Sequence, residues 1–222
     1  MTWDSTYKTN QQVWGDKPSE LATFACNYLQ GIKSSNKAID ILDLGCGYGR
    51  DTIYLARNIN CRILGIDSSS EAIEMARKAL ADDLESRARF QCGDFRQMPN
   101  GKFDIVFTSN VYHLLKMEDR DTFKNIIKKR LKHGGMLFLS TLSPSDPEHF
   151  GKGKRIENDD NSFQDEVFIH FCIREELERD FSFLTIKELF EHEFYEPRSN
   201  GEVHHHILWI FLGVKQYGLV ST

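Results

Sequence analysis

The sequence has few cysteines and no pattern that would pair them. Its five cysteines are scattered among 222 residues, and no two of them form a C-x-x-C pair. An odd count without close pairs argues against a disulfide scaffold and against a zinc site built on cysteine. We therefore expect reduced thiols and a cytoplasmic protein.

Long apolar segments and an excess of positive charge are also absent. No segment approaches the length needed to cross a bilayer, and the first residues lack the basic and apolar regions of a signal peptide. The 28 lysine and arginine residues are outnumbered by 33 aspartate and glutamate residues, which gives a formal net charge of -5. Because a general nucleic-acid binder needs a strongly basic field, a small-molecule partner is favoured, without membrane or nucleic acid.

Alternating strand and helix patterns are what the sequence does contain. Hydrophobic residues make up 40% of the chain, which is enough for one core, so we expect a single domain over 1–222. The alternation predicts a parallel sheet covered on both faces. Its predicted strands are 39–44, 62–67, one ending near Gly93, 103–110 and, after a turn at Gly134 and Gly135, 136–141.

The pattern changes beyond Ser143. Residues 143–164 are polar and aperiodic, which indicates an ordered loop or insertion. A short helix around 174–181 and two strand-like runs, 183–190 and 207–214, follow. The two runs predict an antiparallel pair that joins the sheet.

A glycine-rich turn follows the first predicted strand. Gly45, Gly47 and Gly49 allow a ligand to approach the backbone, and the next helix offers unpaired N–H groups at its start. The spacing differs from the G-x-G-x-x-G fingerprint of dinucleotide sites, and Asp43 precedes it. A carboxylate here repels a pyrophosphate and attracts an ammonium or sulfonium group.

Two more carboxylates follow the next two strands. Asp67 stands close to where an acidic residue accepts hydrogen bonds from ribose hydroxyls. Asp94 can accept from an exocyclic amine, and the Phe95 ring can pack on adenine. Each residue alone also fits a structural role as a helix cap or a core side chain. Three carboxylates at the ends of successive strands favour a ligand site at that edge of the sheet.

In combination these motifs resemble the class I S-adenosylmethionine-dependent methyltransferase family. The resemblance rests on Ile41 to Gly49, Gly65 to Ser68, Gly93 to Phe95, Phe103 to Val106 and Leu131 to Leu137. It implies a three-layer, Rossmann-like α/β fold with a seven-stranded, mostly parallel sheet whose last strand is antiparallel. The segment Trp14 to Ser19 is similar to that of small-molecule enzymes of the tellurite-resistance type.

The resemblance also implies a cofactor, S-adenosylmethionine, and roles for individual residues. The glycine loop with its flanking acid would hold the methionine part, Asp67 and Ser68 the ribose, and Asp94 and Phe95 the adenine. The cofactor-binding set is then Asp43, Gly45, Cys46, Gly47, Gly49, Asp67, Ser68, Asp94, Phe95 and Asn110. The domain would comprise an N-terminal lid and helix (1–35), a cofactor-binding core (36–142), an insertion covering the acceptor site (143–172) and a C-terminal helix with the strand pair (173–222).

The methyl acceptor is less well defined by the sequence. Asn110 is not followed by the Pro-Pro that is usual in enzymes methylating the adenine amine or an amide nitrogen, and no Pro-Cys pair suggests a cysteine that attacks a pyrimidine. An oxygen, amine, sulfur or metalloid acceptor on a small molecule is therefore favoured. His113 is the candidate acid–base residue, because a residue just past the fourth strand would face the cleft. A solvated histidine at a helix start is the alternative.

Other aromatic and histidine residues have two interpretations each. Tyr7 and Trp14 are candidates for a lid over the cofactor, or else they anchor a loose N-terminus. Tyr112 is a candidate on the substrate side. Glu202, His204 and His206 alternate along the chain, so in a strand they would share one face. They could form a metal or acid–base cluster, or they could be solvated side chains beside a hairpin. Since the sequence identifies no further ligand, no metal site is predicted.

Two alternative functions stay open at this point. One is methylation of RNA or protein, with 143–164 as the recognition element. The other is a regulatory protein that binds S-adenosylmethionine without turnover. The sequence predicts no oligomeric state.

Overall fold

The computed structural model describes residues 3–9, 14–32, 37–98, 100–197 and 203–216. The helices within these ranges are α1 (Trp3–Thr9), α2 (Glu20–Gly31), α3 (Arg50–Asn58), α4 (Ser70–Ala79), α5 (Met117–Arg130) and α6 (Arg174–Asp180). The strands are β1 (Ile39–Leu44), β2 (Cys61–Asp67), β3 (Ala88–Cys92), β4 (Phe103–Ser109), β5 (Leu131–Leu142), β6 (Lys154–Arg155), β7 (Ser162–Gln164), β8 (Phe168–His170), β9 (Leu184–Pro197) and β10 (Val203–Lys215). None of the described helices has the length and apolarity that a membrane crossing requires.

Seven strands form the main sheet, in the order β3-β2-β1-β4-β5-β10-β9. The pairs among β1 to β5 are parallel, and β10 runs antiparallel to both of its neighbours, β5 and β9. This confirms the predicted sheet, including the antiparallel last strand. The order reverses between β1 and β4, and such a reversal opens a crevice at the carboxyl ends of the strands.

Hydrophobic side chains alternate between the two faces of the sheet, so a core forms on each face. Ile41 packs with α2, α3 and α4 on one face, whereas Leu42 packs with α5 and α6 on the other. Ile105 and Val106 on β4 divide in the same way. Because strand side chains alternate, a short apolar run such as β1 fills both cores at once.

Several elements differ from their predictions. Gly134 and Gly135 lie inside β5 instead of forming a turn before it, and the β4–β5 register shifts between Phe103 and Ile105. Gly134 has a φ of 75°, which glycine adopts at little steric cost, so it permits the irregularity. The strand pair β9–β10 is longer than predicted. The aperiodic segment after Ser143 contains part of a second, three-stranded sheet, β6-β7-β8.

Candidate cofactor site

A cavity of about 310 Å³ lies at the carboxyl ends of β1, β2 and β4, within the size range of small-molecule sites. Backbone turns and carboxylates form its floor, and aromatic side chains from the N-terminal segment cover it. Its lining includes Trp3, Tyr7, Trp14, Asp43, Gly45, Cys46, Gly47, Tyr48, Arg50, Asp51, Ile66, Asp67, Ser68, Gly93, Asp94, Phe95, Arg96, Ser109, Asn110, Val111, Leu114, Leu115, Asp119 and Phe123.

The glycine loop has two different functions along its length. Gly45 and Gly47 line the cavity with positive φ values of 76° and 53°. A Cβ on Gly45 would lie 2.2 Å from Val111 Cγ2, so only glycine fits there. Gly49 is absent from the cavity lining, and a Cβ on it would meet Phe90 and Ala76. Gly49 allows close packing between the loop, β3 and α4, and its cofactor role stays a prediction.

Asp43 is a carboxylate buried at the end of β1. It is 1% exposed, and its Oδ2 accepts a hydrogen bond from Thr52 Oγ1 at 2.5 Å. Burial raises the pKa of Asp43 to about 8, with the nearby Asp51 and Asp67 carboxylates adding to the effect and the Thr52 bond opposing it. A cation beside Asp43 would therefore relieve an unfavourable charge environment.

Asp67 at the end of β2 organises the loop that surrounds it. Its Oδ2 accepts from Gly47 N–H and its Oδ1 from Ser69 N–H, each at 2.9 Å. Burial raises the pKa of Asp67, although these backbone hydrogen bonds oppose the shift. Ser68 lines the cavity beside it. Because each carboxylate oxygen has a second lone pair, Asp67 can stabilise the loop and still accept from a ligand hydroxyl.

Asp94 and Phe95 line the cavity together with a residue that the sequence reasoning missed. The Arg96 guanidinium binds the Asp94 carboxylate at 2.8 Å and Asp119 at 3.0 Å. Hydrogen bonding to Arg96 lowers the pKa of Asp94. Arg96 also lies over the Phe95 ring, with Cζ 5.3 Å from the centroid, and Phe123 packs edge-on against that ring at 5.2 Å.

Asn110 follows β4 in the left-handed conformation, with a φ of 58°. Asparagine tolerates this region better than most residues. Its backbone N–H donates to Ser140 O at 3.2 Å, and Ser140 Oγ donates to its side-chain oxygen at 3.4 Å. The turn therefore keeps Asn110 at the cavity wall.

Aromatic rings of the N-terminal segment pack on one another over the cavity. The rings of Trp3, Tyr7 and Trp14 have pairwise centroid distances between 6.1 and 6.3 Å, and Tyr48 of the glycine loop lies 6.1 Å from Tyr7. Burial raises the pKa of Tyr7. Tyr7 and Trp14 line the cavity, and their role as a lid stays a prediction.

Polar contacts attach this aromatic cluster to the rest of the fold. Asp4 accepts a hydrogen bond from Ser69 Oγ at 2.6 Å at the start of α4. Tyr48 Oη donates to Gly15 O at 2.6 Å, and Arg50 donates to Trp14 O. Ser19, the N-cap of α2, donates to Asp51 through both its N–H and its hydroxyl at 2.7 Å.

Like Gly49, the predicted residues Tyr112 and His113 lie outside the cavity lining. Tyr112 is fully buried and donates to Asp180 Oδ2 at 2.6 Å. His113 is buried as well, and its Nδ1 accepts from Leu142 N–H at 3.3 Å. Burial, with nearby histidines, lowers the pKa of His113 to about 3. The short 3₁₀ turn Tyr112–Leu114 directs both side chains into the interior, away from the positions predicted for an acid–base residue and a substrate contact.

The alternating histidines near the hairpin lie close to acidic residues of the loop after β5. Glu202 lies outside the described residues. His204 Nδ1 is 3.3 Å from Glu148, whereas His206 Nδ1 is 3.2 Å from Asp146. The partners of these histidines thus come from the loop after β5, which their spacing in sequence did not indicate.

Sequence reasoning missed further residues of the cavity. Arg50 and Asp51 directly follow the glycine loop, at the start of α3. Their place in the sequence could therefore have identified them as cavity residues. Val111, Leu114 and Leu115 add apolar wall after β4. Their contribution depends on the turn at Asn110, which no local pattern predicts.

Comparison with known proteins agrees with this geometry. Residues 41–135 match the family described as "Methyltransferase domain". The chain is 33% identical over 131 residues to a carboxy-S-adenosyl-L-methionine synthase of Shewanella sediminis, across 57% of this chain. The match spans 51% of that protein, so the chain corresponds to about half the length of this curated relative.

Solved structures share the fold at low sequence identity. One, from work on the conversion of a disulfide bond into a thioacetal group during echinomycin biosynthesis, superposes with a TM-score of 0.73 at 18% identity, covering 99% of this chain and 92% of the other. The 1,6-didemethyltoxoflavin-N1-methyltransferase of Burkholderia thailandensis, bound to 1,6-didemethyltoxoflavin and S-adenosylhomocysteine, gives 0.65 at 18% identity, covering 96% and 85%. The matched segment contains the glycine loop, most of β1 and strands β2 to β4, and the chain shares the fold of these solved structures.

Proposed function

We propose that the cavity binds S-adenosylmethionine and that the protein transfers its methyl group to a small molecule. The observation that carries the proposal is the buried Asp43 carboxylate, which lies beside Asp67 on the same cavity and lacks a cationic partner among its described hydrogen bonds. A positively charged ligand suits this environment, and an anionic pyrophosphate does not.

The residue roles follow the order of the strands. Asp43, Gly45, Cys46 and Gly47 would hold the methionine part, with Asn110 facing it from β4. Asp67 and Ser68 would hold the ribose. Asp94 and Phe95 would hold adenine, and we add Arg96, which orients the Asp94 carboxylate through their ion pair. The close approach of Val111 to Gly45 supports this arrangement, because it leaves backbone instead of side chain at the cavity surface.

When bound, S-adenosylmethionine supplies an electrophilic methyl group on a positively charged sulfur. The protein's part in such a displacement is to position both reactants and exclude water. Trp3, Tyr7 and Trp14 would exclude water from above, and Val111 with Leu114 from the β4 side. None of the described residues lining the cavity is a histidine, so we expect positioning, not an imidazole base, to dominate the rate.

His113 is not part of this proposal. Its Nδ1 lone pair already accepts the Leu142 N–H, and its pKa of about 3 keeps the ring neutral near pH 7. An imidazole with that lone pair engaged and its ring buried is poorly suited to take a proton from an acceptor. We assign it instead to supporting the turn between β4 and α5.

The comparisons are consistent with a small-molecule acceptor. The structural neighbour from Burkholderia thailandensis is named for methylation of 1,6-didemethyltoxoflavin. The net charge of -5 also disfavours a nucleic-acid substrate. Assignment to the tellurite-resistance type stays a prediction, as do the four-part division of the domain and its cytoplasmic location.

The experiment is incubation of the purified protein with methyl-labelled S-adenosylmethionine and a cell extract, followed by separation of products by size and mass spectrometry. We expect S-adenosylhomocysteine and label in low-mass products. Asp67→Asn should lower the yield, and the exposed Asp82→Asn should not. Label only in RNA or protein would contradict the small-molecule acceptor. A carboxylated S-adenosylmethionine, or no product, would contradict methyl transfer.

A further inference from the structure

A second group of polar side chains lies at the same edge of the sheet, beyond β5. Asp146 is four residues past the end of β5, His149 follows it by three, and His206 comes from β10. The loop is attached to β10 by a backbone hydrogen bond from Ser143 N–H to Ile207 O at 3.1 Å, and within the loop Asp146 N–H donates to Ser143 O at 3.0 Å. Two separate segments thus bring an aspartate and two histidines together.

The distances within this group fit a metal coordination sphere. Asp146 Oδ1 is 3.3 Å from His149 Nδ1, and Asp146 Oδ2 is 3.2 Å from His206 Nδ1. One potential ligand atom from each residue lies within 4.8 Å of the others. Nitrogen and oxygen ligands bound about 2.0–2.2 Å from zinc stand roughly 3.0–3.5 Å apart around the ion. The two imidazole rings stack at 5.2 Å with an interplanar angle of 11°.

Backbone hydrogen bonds hold the Asp146 carboxylate in place. The residue is 1% exposed, and its carboxylate also accepts from the backbone N–H groups of Glu148, His149 and Ile207 at 2.8–3.1 Å. A fixed anionic ligand lowers the ordering cost of binding a cation.

The charged groups around these three residues would accommodate an added cation. The ion-pair partners of Asp146 in the described part of the chain are the two imidazoles, with no lysine or arginine among them. His204, whose ring centroid is 6.0 Å from that of His206, pairs with Glu148, which adds a second acidic group. His113 also faces the group, as a neutral ring.

A second cluster of potential ligands in the same molecule already has a cationic side chain beside it. His170, Cys172 and Glu176 are also close enough to share an ion. There, however, Arg120 lies 3.8 Å from Glu176, and it binds Asp159, which is 3.6 Å from His170. Burial also raises the pKa of the Cys172 thiol, which disfavours the thiolate that binds metals. The protein already supplies the cation at that cluster.

We propose that Asp146, His149 and His206 form a binding site for a divalent first-row transition metal ion. Two imidazoles and one carboxylate match the preferences of Zn²⁺, Fe²⁺, Co²⁺ and Ni²⁺ more than those of Mg²⁺, which favours oxygen ligands. Three protein ligands leave at least one coordination position for water or another oxygen donor. The site does not rest on the proposed methyl transfer.

The test is titration of the untagged, chelator-treated protein with Zn²⁺ by calorimetry and with Co²⁺ by visible absorption. We expect one equivalent to bind, with a Co²⁺ spectrum of a nitrogen and oxygen environment. His149→Gln and His206→Gln should each weaken binding by about tenfold or more. The matched control is His205→Gln, which removes a histidine from the same strand that pairs with Glu193 instead.

Folding of each variant is checked by circular dichroism and by S-adenosylhomocysteine binding. Because the His149 side chain is 35% exposed, His149→Gln should fold even if the buried His206→Gln does not. Absence of Zn²⁺ and Co²⁺ binding by the wild-type protein would overturn the proposal. So would equal loss of binding in His205→Gln, unchanged binding in a folded His149→Gln, or preference for Mg²⁺ over Zn²⁺.

Discussion

Three aspartates at the ends of neighbouring strands lie in different environments, which determines what each can contribute. Asp43 is buried, with a raised pKa and a hydroxyl donor. Asp67 is tied to two backbone N–H groups, and Asp94 to the Arg96 guanidinium. A cationic ligand therefore gains most from Asp43, because the other two carboxylates already have stabilising partners.

The raised pKa of Asp43 predicts a pH dependence of cofactor binding. In the free protein the carboxyl has a pKa of about 8, and a bound cation would lower it. Binding then favours the ionised form, so affinity should rise with pH up to about 8 and level off above it, by at most about tenfold per pH unit. Calorimetry with S-adenosylmethionine across this range would measure it.

Asp43→Asn is the corresponding variant. It should bind more weakly at high pH and lose the pH dependence, since the titrating group is gone. Proton release on binding, measured in buffers of different ionisation enthalpy, should disappear with it. A wild-type affinity that is constant from about pH 6 to 8, the range over which Asp43 ionises, would show that this carboxyl does not contact the cofactor.

Some residue-level features could be read from the sequence, and others could not. The loop glycines and Asp43, Asp67 and Asp94 were predictable as a group, because the carboxyl ends of parallel strands meet at one edge. The orientation of Tyr112 and His113 was not, because it depends on the positive φ of Asn110 and the 3₁₀ turn after it. The pairing of Asp146 with His206 joins residues 60 positions apart, and strand alternation specifies only a face.

At the scale of elements, the predictable parts were those with strong apolar periodicity. Strands β1, β2 and β4 begin and end within one residue of their predicted bounds, and β3 ends one residue before Gly93. The strands β6, β7 and β8 are only two or three residues long, so alternation cannot reveal them. Helix α1 is a seven-residue segment stabilised by tertiary contacts, chiefly aromatic packing and the Asp4–Ser69 hydrogen bond.

If the aromatic residues of α1 act as a lid, the attachment of α1 to α4 should control the rate of ligand release. Asp4→Ala removes the acceptor of the Ser69 hydroxyl and so weakens the attachment of α1 to α4. We expect S-adenosylhomocysteine to dissociate several-fold faster from this variant. Stopped-flow tryptophan fluorescence can follow the release, since Trp3 and Trp14 line the cavity.

Lys8→Ala is the control for this measurement. Lys8 also links α1 to α4, through Glu71 at 3.2 Å, but its side chain is 63% exposed. Such exposed pairs contribute little, so its release rate should stay near that of the wild-type protein. Equal rates for Asp4→Ala and wild type would contradict a lid held by this contact.

At the scale of the whole molecule, a buried ion pair connects helix α5, which packs on the main sheet, to the smaller sheet. Arg120 of α5 binds Asp159 at 2.5 Å, in the loop between β6 and β7, and both side chains are less than 10% exposed. Arg120 also donates to Leu115 O at 2.8 Å in the turn that borders the cavity wall. The three-stranded sheet is therefore coupled to the edge where the cofactor site lies.

This coupling predicts a large effect of Asp159→Asn on stability. The substitution would leave the Arg120 guanidinium buried with less compensation, and we expect the free energy of unfolding to fall by about 3 kcal/mol. The neighbouring Asp160→Asn removes an exposed pair with Arg155 and should change it by less than about 0.5 kcal/mol. Urea denaturation of both variants measures the difference. Equal midpoints would mean that the pair does not connect the two sheets energetically.

The central claim, that the glycine loop and the three aspartates form an S-adenosylmethionine site, is tested most directly by a crystal structure with S-adenosylhomocysteine. We predict the amino group of the ligand beside Asp43 and the Gly45–Gly47 backbone, the ribose hydroxyls within hydrogen-bond distance of Asp67, and the adenine against Phe95. A ligand bound outside this cavity, or one whose ribose makes no contact with Asp67, would contradict the account.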